Sequence, residues 1–338
     1  MIDSIRSGDA RSLSRAISTV ENRAPGWSDL LKALFPHTGK ARVIGMTGAP
    51  GAGKSTLVDQ LARLYRKTRN PHSSRRERGL NRAPAWNGAP GSSPPDENYT
   101  VGIIAVDPTS PYTGGAILGD RIRMQDHFAD PGIFIRSMAT RGSLGGLART
   151  TADVATVLDA SGRDIVMIET VGVGQDEVDI VRLAEITVVI LVPGMGDDVQ
   201  TIKAGIMEIA DIFVINKSDR EGAERVEREI RSLQSLAVRN DGWTPPIVKT
   251  VASEGKGVEE LAAAIHEYES YLQKENRALQ KSVENWQERL VEMLRDVMLD
   301  KARAQFGDGN LEKLAAEVAE HRRDPYTLVE EIASRVGK

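Results

Sequence analysis

Cysteine is absent from the 338-residue chain. That absence removes disulfide scaffolds, cysteine-held zinc, iron–sulfur clusters and thiol catalysis together, and it fits a reducing compartment. Histidine is nearly as scarce, with five residues and no ligand pair among them, so a histidine metal site is not expected. Long apolar runs are missing as well. The longest strongly apolar one, Val188–Val192, falls far short of the ~20 residues that cross a bilayer. An excess of positive charge is lacking too. Lys and Arg number 44 against 48 Asp and Glu, a net charge of −4, where a dedicated nucleic-acid binder carries a basic footprint. The amino-terminal stretch has no apolar signal core, and Asp3 and Asp9 speak against a transit peptide. The expected setting is the cytoplasm, with neither a membrane nor a nucleic acid as partner.

What is present is ordinary for a globular chain: 40% hydrophobic and 27% charged residues, in a length that suits two domains of about 150 residues. Residues 1–40 read as a helical arm, with Ile5, Leu13, Ile17 and Val20 near helical spacing and Leu30, Leu31 and Leu34 following Pro25-Gly26. Residues 41–275 read as a sheet domain. In it, short apolar runs alternate with helical stretches: Val43–Met46, Val101–Val106, Ile133–Ile135, Ile165–Ile168, Ile186–Val192, Ile212–Ile215 and Ile247–Val251. Unbroken apolar runs suit strands buried on both faces, so the alternation predicts an α/β fold with a mostly parallel sheet of about seven strands.

Residues 276–338 read as a C-terminal helical region. Its stripe of Trp286, Leu290, Met293, Leu294 and Val297 either packs back on the sheet domain or forms a dimerisation arm. Residues 69–98 stand apart. They hold five prolines, and Arg69, Arg75, Arg76, Arg78 and Arg82 make the first half basic. This composition predicts a disordered insertion, or an anion-binding tail in which Trp86 is a docking anchor.

The strongest motif is Gly48-Ala49-Pro50-Gly51-Ala52-Gly53-Lys54-Ser55-Thr56, which matches G-x-x-x-x-G-K-[ST] between an apolar strand and an amphipathic helix. Glycines let the backbone N–H groups turn inward around a phosphate, and the helix N-terminus adds its positive dipole end. Lys54 is expected to reach the β- and γ-phosphates, and the Ser55 hydroxyl to ligate Mg²⁺. Asn216-Lys217-Ser218-Asp219, directly after a strand, is N-K-x-D, the guanine signature. The Asp219 carboxylate accepts from guanine N1–H and the 2-amino group, while adenine would leave it unmatched. Asn216 and Lys217 brace the loop and the base face. A third base-edge loop is expected at Val251-Ala252-Ser253. Val251 stands where the usual sequence has Ser, and the Ala252 N–H is left to meet guanine O6.

Asp107 and Glu169 end two of the expected strands, and carboxylates at that edge face the phosphates and suit Mg²⁺, or else cap a helix or a loop. Glu169-x-x-Gly172 stands in the place of D-x-x-G, so the Gly172 N–H is positioned to hold a γ-phosphate and release it on hydrolysis. Asp120 either ligates the metal or caps a helix. Pro193–Lys203 reads from its residues alone as a mobile loop.

Taken together, the phosphate loop, Ala105-Val106-Asp107-Pro108-Thr109-Ser110-Pro111, Glu169-Thr170-Val171-Gly172-Val173-Gly174-Gln175 and Asn216-Lys217-Ser218-Asp219 resemble the MeaB/ArgK GTPases, accessory proteins of adenosylcobalamin-dependent methylmalonyl-CoA mutase and its relatives. The resemblance covers roughly residues 5–300. It implies Mg²⁺-dependent hydrolysis of GTP to GDP, with Ser55, Asp107, Asp120 and Glu169 around the metal. It implies that the loop from Asp197 to Lys203 is an extra switch responding to the mutase, that Asp197 and Lys203 take part in catalysis, and that the C-terminal helices form a homodimer. The kinase suggestion carried by the ArgK name has no support, because N-K-x-D selects guanine and no acceptor site is visible. The related nickel-insertion GTPases need Cys and His metal loops, which this chain lacks. A GTP-sensing scaffold is the alternative that stays open. It would tolerate Glu169→Gln and Lys203→Ala as long as GTP binds.

Overall fold

The computed structural model describes residues 1–68, 98–107, 124, 127, 129–139, 146–170, 183–194, 209–236, 239, 241–274, 277–306 and 308–336, with the backbone alone at 107, 139, 146–149, 303–306, 308–311 and 335–336. The expected insertion lies outside these residues apart from Asn98. The chain divides into two compact units, Met1–Glu275 and Asn276–Lys338.

The first unit is built on seven strands: β1 (Arg42–Gly48), β2 (Val101–Asp107), β3 (Ile133–Ala139), β4 (Ile165–Glu169), β5 (Ile186–Leu191), β6 (Ile212–Asn216) and β7 (Ile247–Thr250). Their order is β3-β2-β4-β1-β5-β6-β7. Every described pairing is parallel. The α/β sheet read from the sequence is therefore present, and each apolar run became one of its strands.

Neighbouring residues of a strand feed opposite cores, which is why the runs show no polar alternation. On one face, Ile44, Met46, Ile103, Met167, Val188 and Val214 pack under α4 (Lys54–Lys67) and α7 (Val258–Gln273). On the other face, Ile104, Val106, Val166 and Ile168 pack against α1 (Ile2–Arg6), α2 (Ala10–Glu21), α3 (Trp27–Leu34) and α5 (Gly146–Ala160). Farther along that face, Val189, Leu191, Phe213 and Ile215 meet α6 (Ala223–Leu236). The first forty residues, expected as an arm, thus form a layer of the sheet unit. Their apolar stripe of Ile5, Leu13, Ile17, Val20 and Leu34 is fully buried there.

Register places the functional ends side by side. Met46 of β1 is level with Glu169 of β4, Gly48 with Ile190 of β5, and Asn216 of β6 with Thr250 of β7. Moreover, β1 lies between β4 and β5, so the connection from β4 to β5 crosses it. A strand-order reversal of this kind opens a crevice at the carboxyl edge.

The stems of the expected insertion are joined to each other. Tyr99 N–H donates to Thr68 O at 3.4 Å, and Asn98 Nδ2 donates to Arg66 O at 2.9 Å. Arg66 donates to Tyr99 O at 2.8 Å and grips both Asp130 oxygens at 2.8 and 2.9 Å. Because these contacts close the stem from outside residues 69–97, replacing that stretch with a linker a quarter as long is expected to preserve the fold. Two halvings of a flexible loop favour folding by about 1 kcal/mol. Urea unfolding of the shortened chain checks this, and a loss of several kcal/mol would mean that the stretch supplies core contacts.

The second unit holds α8 (Arg277–Phe306), α9 (Asp308–Ala319) and α10 (Pro325–Val336), with α8 packed on both others. Leu290, Leu294 and Val297 of α8 are exposed. Among the described residues, no helix is long and apolar enough to cross a membrane.

Candidate functional site

The phosphate loop leaves β1 at Gly48 and enters α4 at Lys54. A Cβ on Gly48 would collide with the Ile190 carbonyl of the neighbouring strand, so only glycine lets the two backbones approach this closely. Gly53, at φ +86°, caps α4, and a Cβ there would collide with Asn216 Nδ2. Lys54 is 6% exposed, and its Nζ donates to Gly48 O at 2.6 Å and Ala49 O at 3.1 Å. The ammonium thus lies across the loop, beside the first amides of α4. Ala52 N–H donates to Ala49 O at 3.1 Å, which tightens the turn through Pro50 and Gly51.

The acidic edge comes from β4. Glu169 Oε1 accepts from Ser55 Oγ at 2.6 Å, and both residues are buried. A carboxylate and a hydroxyl at hydrogen-bond distance, next to a lysine and a helix N-terminus, are hard oxygen donors of the kind Mg²⁺ takes, so these two residues fit that ion. Asp107 ends β2, opposite Ala139 of β3, and its side chain lies outside the described residues. Asp120, Gly172, Asp197 and Lys203 also lie outside them. Among the described residues no group of three or more His, Asp or Glu could hold a metal.

The base side is tied to the phosphate side through Asn216, which is 2% exposed. Its Nδ2 donates to Ala52 O at 2.7 Å, while its Oδ1 accepts from Thr250 Oγ1 at 3.0 Å and Ala252 N–H at 3.1 Å. One side chain therefore fixes the phosphate loop, the end of β6 and the exit of β7 relative to each other. Lys217 is held at φ +56°, a left-handed conformation that costs a residue with a Cβ roughly 1–2 kcal/mol, and its Nζ donates to Gly51 O at 2.8 Å. Asp219 is exposed. Val251 pairs with Lys256 in an isolated bridge, its N–H donating to Lys256 O at 3.0 Å. The Ala252 N–H, expected to face guanine O6, points at Asn216, so a base reaching it shares it with that side chain. Thr56 and Ser253 are exposed flanking residues of their loops.

Sequence reasoning missed three hydroxyls and one buried contact between a carboxylate and an imidazole. Thr250 reaches Asn216 as described, and Thr170 Oγ1 donates to Thr47 Oγ1 at 3.1 Å. Threonines inside apolar strand runs read as strand formers, so only their register across the sheet reveals the contacts. In α4, Asp59 Oδ1 lies 2.6 Å from His127 Nε2, and Arg63 Nε donates to Asp59 Oδ2 at 2.9 Å. Burial works against the Asp59 charge, but the bonds from His127 and Arg63 outweigh it and hold the carboxyl below the usual carboxylate range. Residues 59 and 127 are too far apart in sequence for spacing to join them.

The family model described as methylmalonyl-CoA mutase-associated GTPase MeaB matches residues 13–70 and 95–306. A protein of Pyrococcus abyssi (strain GE5 / Orsay) that carries a GTPase name is 44% identical over 339 residues, covering 99% of this chain and 96% of that protein. The GTPase ArgK of Escherichia coli (strain K12) is 34% identical over 284 residues, covering 82% of this chain and 77% of that protein. Among solved structures, one described as an LAO/AO transport system kinase superposes with a TM-score of 0.68 at 26% identity, covering 100% of this chain and 96% of that one.

Proposed function

Because the chain belongs to the MeaB family of GTPases, we propose that it is a Mg²⁺-dependent GTPase that gates cofactor loading and protection in an adenosylcobalamin-dependent acyl-CoA mutase of the methylmalonyl-CoA type. The observation that carries the enzymatic part is the single network from Lys54 through the phosphate loop to Asn216, with Glu169 on Ser55 at its edge. The mutase part rests on the family description.

In this reading the amides of residues 48–56 cradle the phosphates, and Lys54 turns from its carbonyl partners to the β- and γ-oxygens. Ser55 and Glu169, with Asp107 and Asp120, hold Mg²⁺. When bound, the ion neutralises charge on those oxygens. Gly172 senses the γ-phosphate. Asp219 reads the guanine N1–H and 2-amino group, with Asn216 and Lys217 bracing its loop and Val251-Ala252-Ser253 lining the base edge. Attack by water is in line, and catalysis is positioning and charge stabilisation. The residue after Gly172 is Val173, where a water-positioning Gln is usual, so turnover alone is slow. The loop from Asp197 to Lys203 answers to the mutase and raises that rate. The exposed Leu290, Leu294 and Val297 suit a second copy of the chain, giving a homodimer, and the proposed location is the cytoplasm.

Affinity capture tests the partner. Protein loaded with a non-hydrolysable GTP analogue is expected to retain an adenosylcobalamin-dependent acyl-CoA mutase from the native extract. Equal recovery with and without nucleotide would sink a GTP-gated partnership.

A further inference from the structure

Glu169 and Thr170 are consecutive, and each is bonded to a different end of the phosphate loop. Glu169 holds Ser55, on the first turn of α4 where the loop finishes. Thr170 holds Thr47, the residue before Gly48 where the loop starts, with Oγ1 donating to Thr47 Oγ1 at 3.1 Å. Thr170 N–H also donates to Met46 O at 3.1 Å, extending the bonding between β1 and β4 one residue past the end of β4. Both threonines are 2% exposed, so water does not compete for this bond. The next residues along the chain are Val171 and Gly172.

We propose that the Thr47–Thr170 hydroxyl pair is a positioning device for GTP hydrolysis, fixing the point at which the chain leaves β4 so that the adjoining Glu169 is presented to Ser55 and the phosphates in one arrangement. The inference rests on the reading of Glu169 as a metal residue. The pair acts through that carboxylate and touches no substrate itself. The phosphate loop keeps its own bonds from Lys54, Asn216 and Lys217, so the pair governs the rate of hydrolysis and leaves nucleotide affinity largely alone.

The test compares kcat for GTP, affinity for GTP and GDP, and melting temperature in four variants. Thr170→Val keeps the shape and loses the donor. It is expected to lower kcat about fivefold, the worth of one buried hydrogen bond, with affinities within about twofold of the parent. Thr170→Ser keeps the hydroxyl and restores most of the rate. Thr47→Val gives the same loss and carries the test alone if Thr170→Val does not fold. The double variant is slower by much less than the product of the two single losses, because both single changes break the bond the two hydroxyls share. Glu169→Gln runs in parallel. If it is slow while both valine variants hydrolyse GTP at the parent rate, the positioning role is overturned and the metal reading stands. A serine variant as slow as the valine variant also overturns it, because keeping the hydroxyl would then not keep the rate. If Glu169→Gln hydrolyses GTP normally, the metal reading fails and takes this inference with it.

Discussion

Replacing Lys54 with alanine is expected to lower the turnover number for GTP by about a thousandfold with the fold intact. Removing one preorganised donor from a developing negative charge costs about 10²–10³ in rate, and a full positive charge in a buried site belongs at the upper end. Lys54 has that setting. It is 6% exposed, and its Nζ is held by Gly48 O and Ala49 O at 2.6 and 3.1 Å, so little reorganisation separates it from a phosphate entering the loop. The backbone path of the loop is fixed independently by Asn216 Nδ2 on Ala52 O, by Lys217 on Gly51 O and by the glycine positions, so the cradle should survive the substitution. Single-turnover hydrolysis at saturating GTP, alongside circular dichroism, decides the matter. A loss below about tenfold would mean that Lys54 does not meet the reacting phosphate.

The second large effect concerns the base. Asp219→Asn is expected to weaken GTP binding by about a thousandfold and to create binding of xanthosine triphosphate. A carboxylate accepts two hydrogen bonds, from guanine N1–H and the 2-amino group. An Asn amide accepts one and donates one, and xanthine carries a carbonyl oxygen where guanine carries the 2-amino group. The mismatch leaves donors facing each other, and sites built on hydrogen bonds discriminate by about 10⁴–10⁵ when a bond is lost. Asp219 is exposed, so stability should move by no more than about 0.5 kcal/mol, and a change in nucleotide preference can be read without unfolding. Competition binding with guanosine, xanthosine and adenosine triphosphates checks it. Unchanged GTP affinity would assign the Asn216 network to holding loops together and nothing more.

The sheet could be read from the chain because strands buried on both faces announce themselves as unbroken apolar runs, such as Val188–Leu191 within β5. Their order could not. A run without alternation carries no mark of which neighbour it will pair with, and nothing local in Ile165–Glu169 says that it inserts between β2 and β1. The helices of residues 1–40 were visible by period, whereas their place as a sheet layer depends on α5, more than a hundred residues away. At the site, the motifs named the residues but not their partners. The Ala252 amide turned to Asn216 because Thr250 and Ala252 both converge on one Oδ1, a contact created by the pairing of β6 and β7. The Thr47–Thr170 bond likewise exists only because β1 and β4 are neighbours in register.

The proposal of a GTPase that is slow by itself and switched on by a cobalamin mutase is tested by GTP turnover of the purified chain with and without that mutase. Turnover well below the ~10 s⁻¹ of a typical enzyme is expected for the chain alone, rising at least about tenfold when the mutase is added. The rise should be lost in Glu169→Gln and in Lys203→Ala. Turnover of tens per second by the isolated chain, unchanged by the mutase, would contradict it.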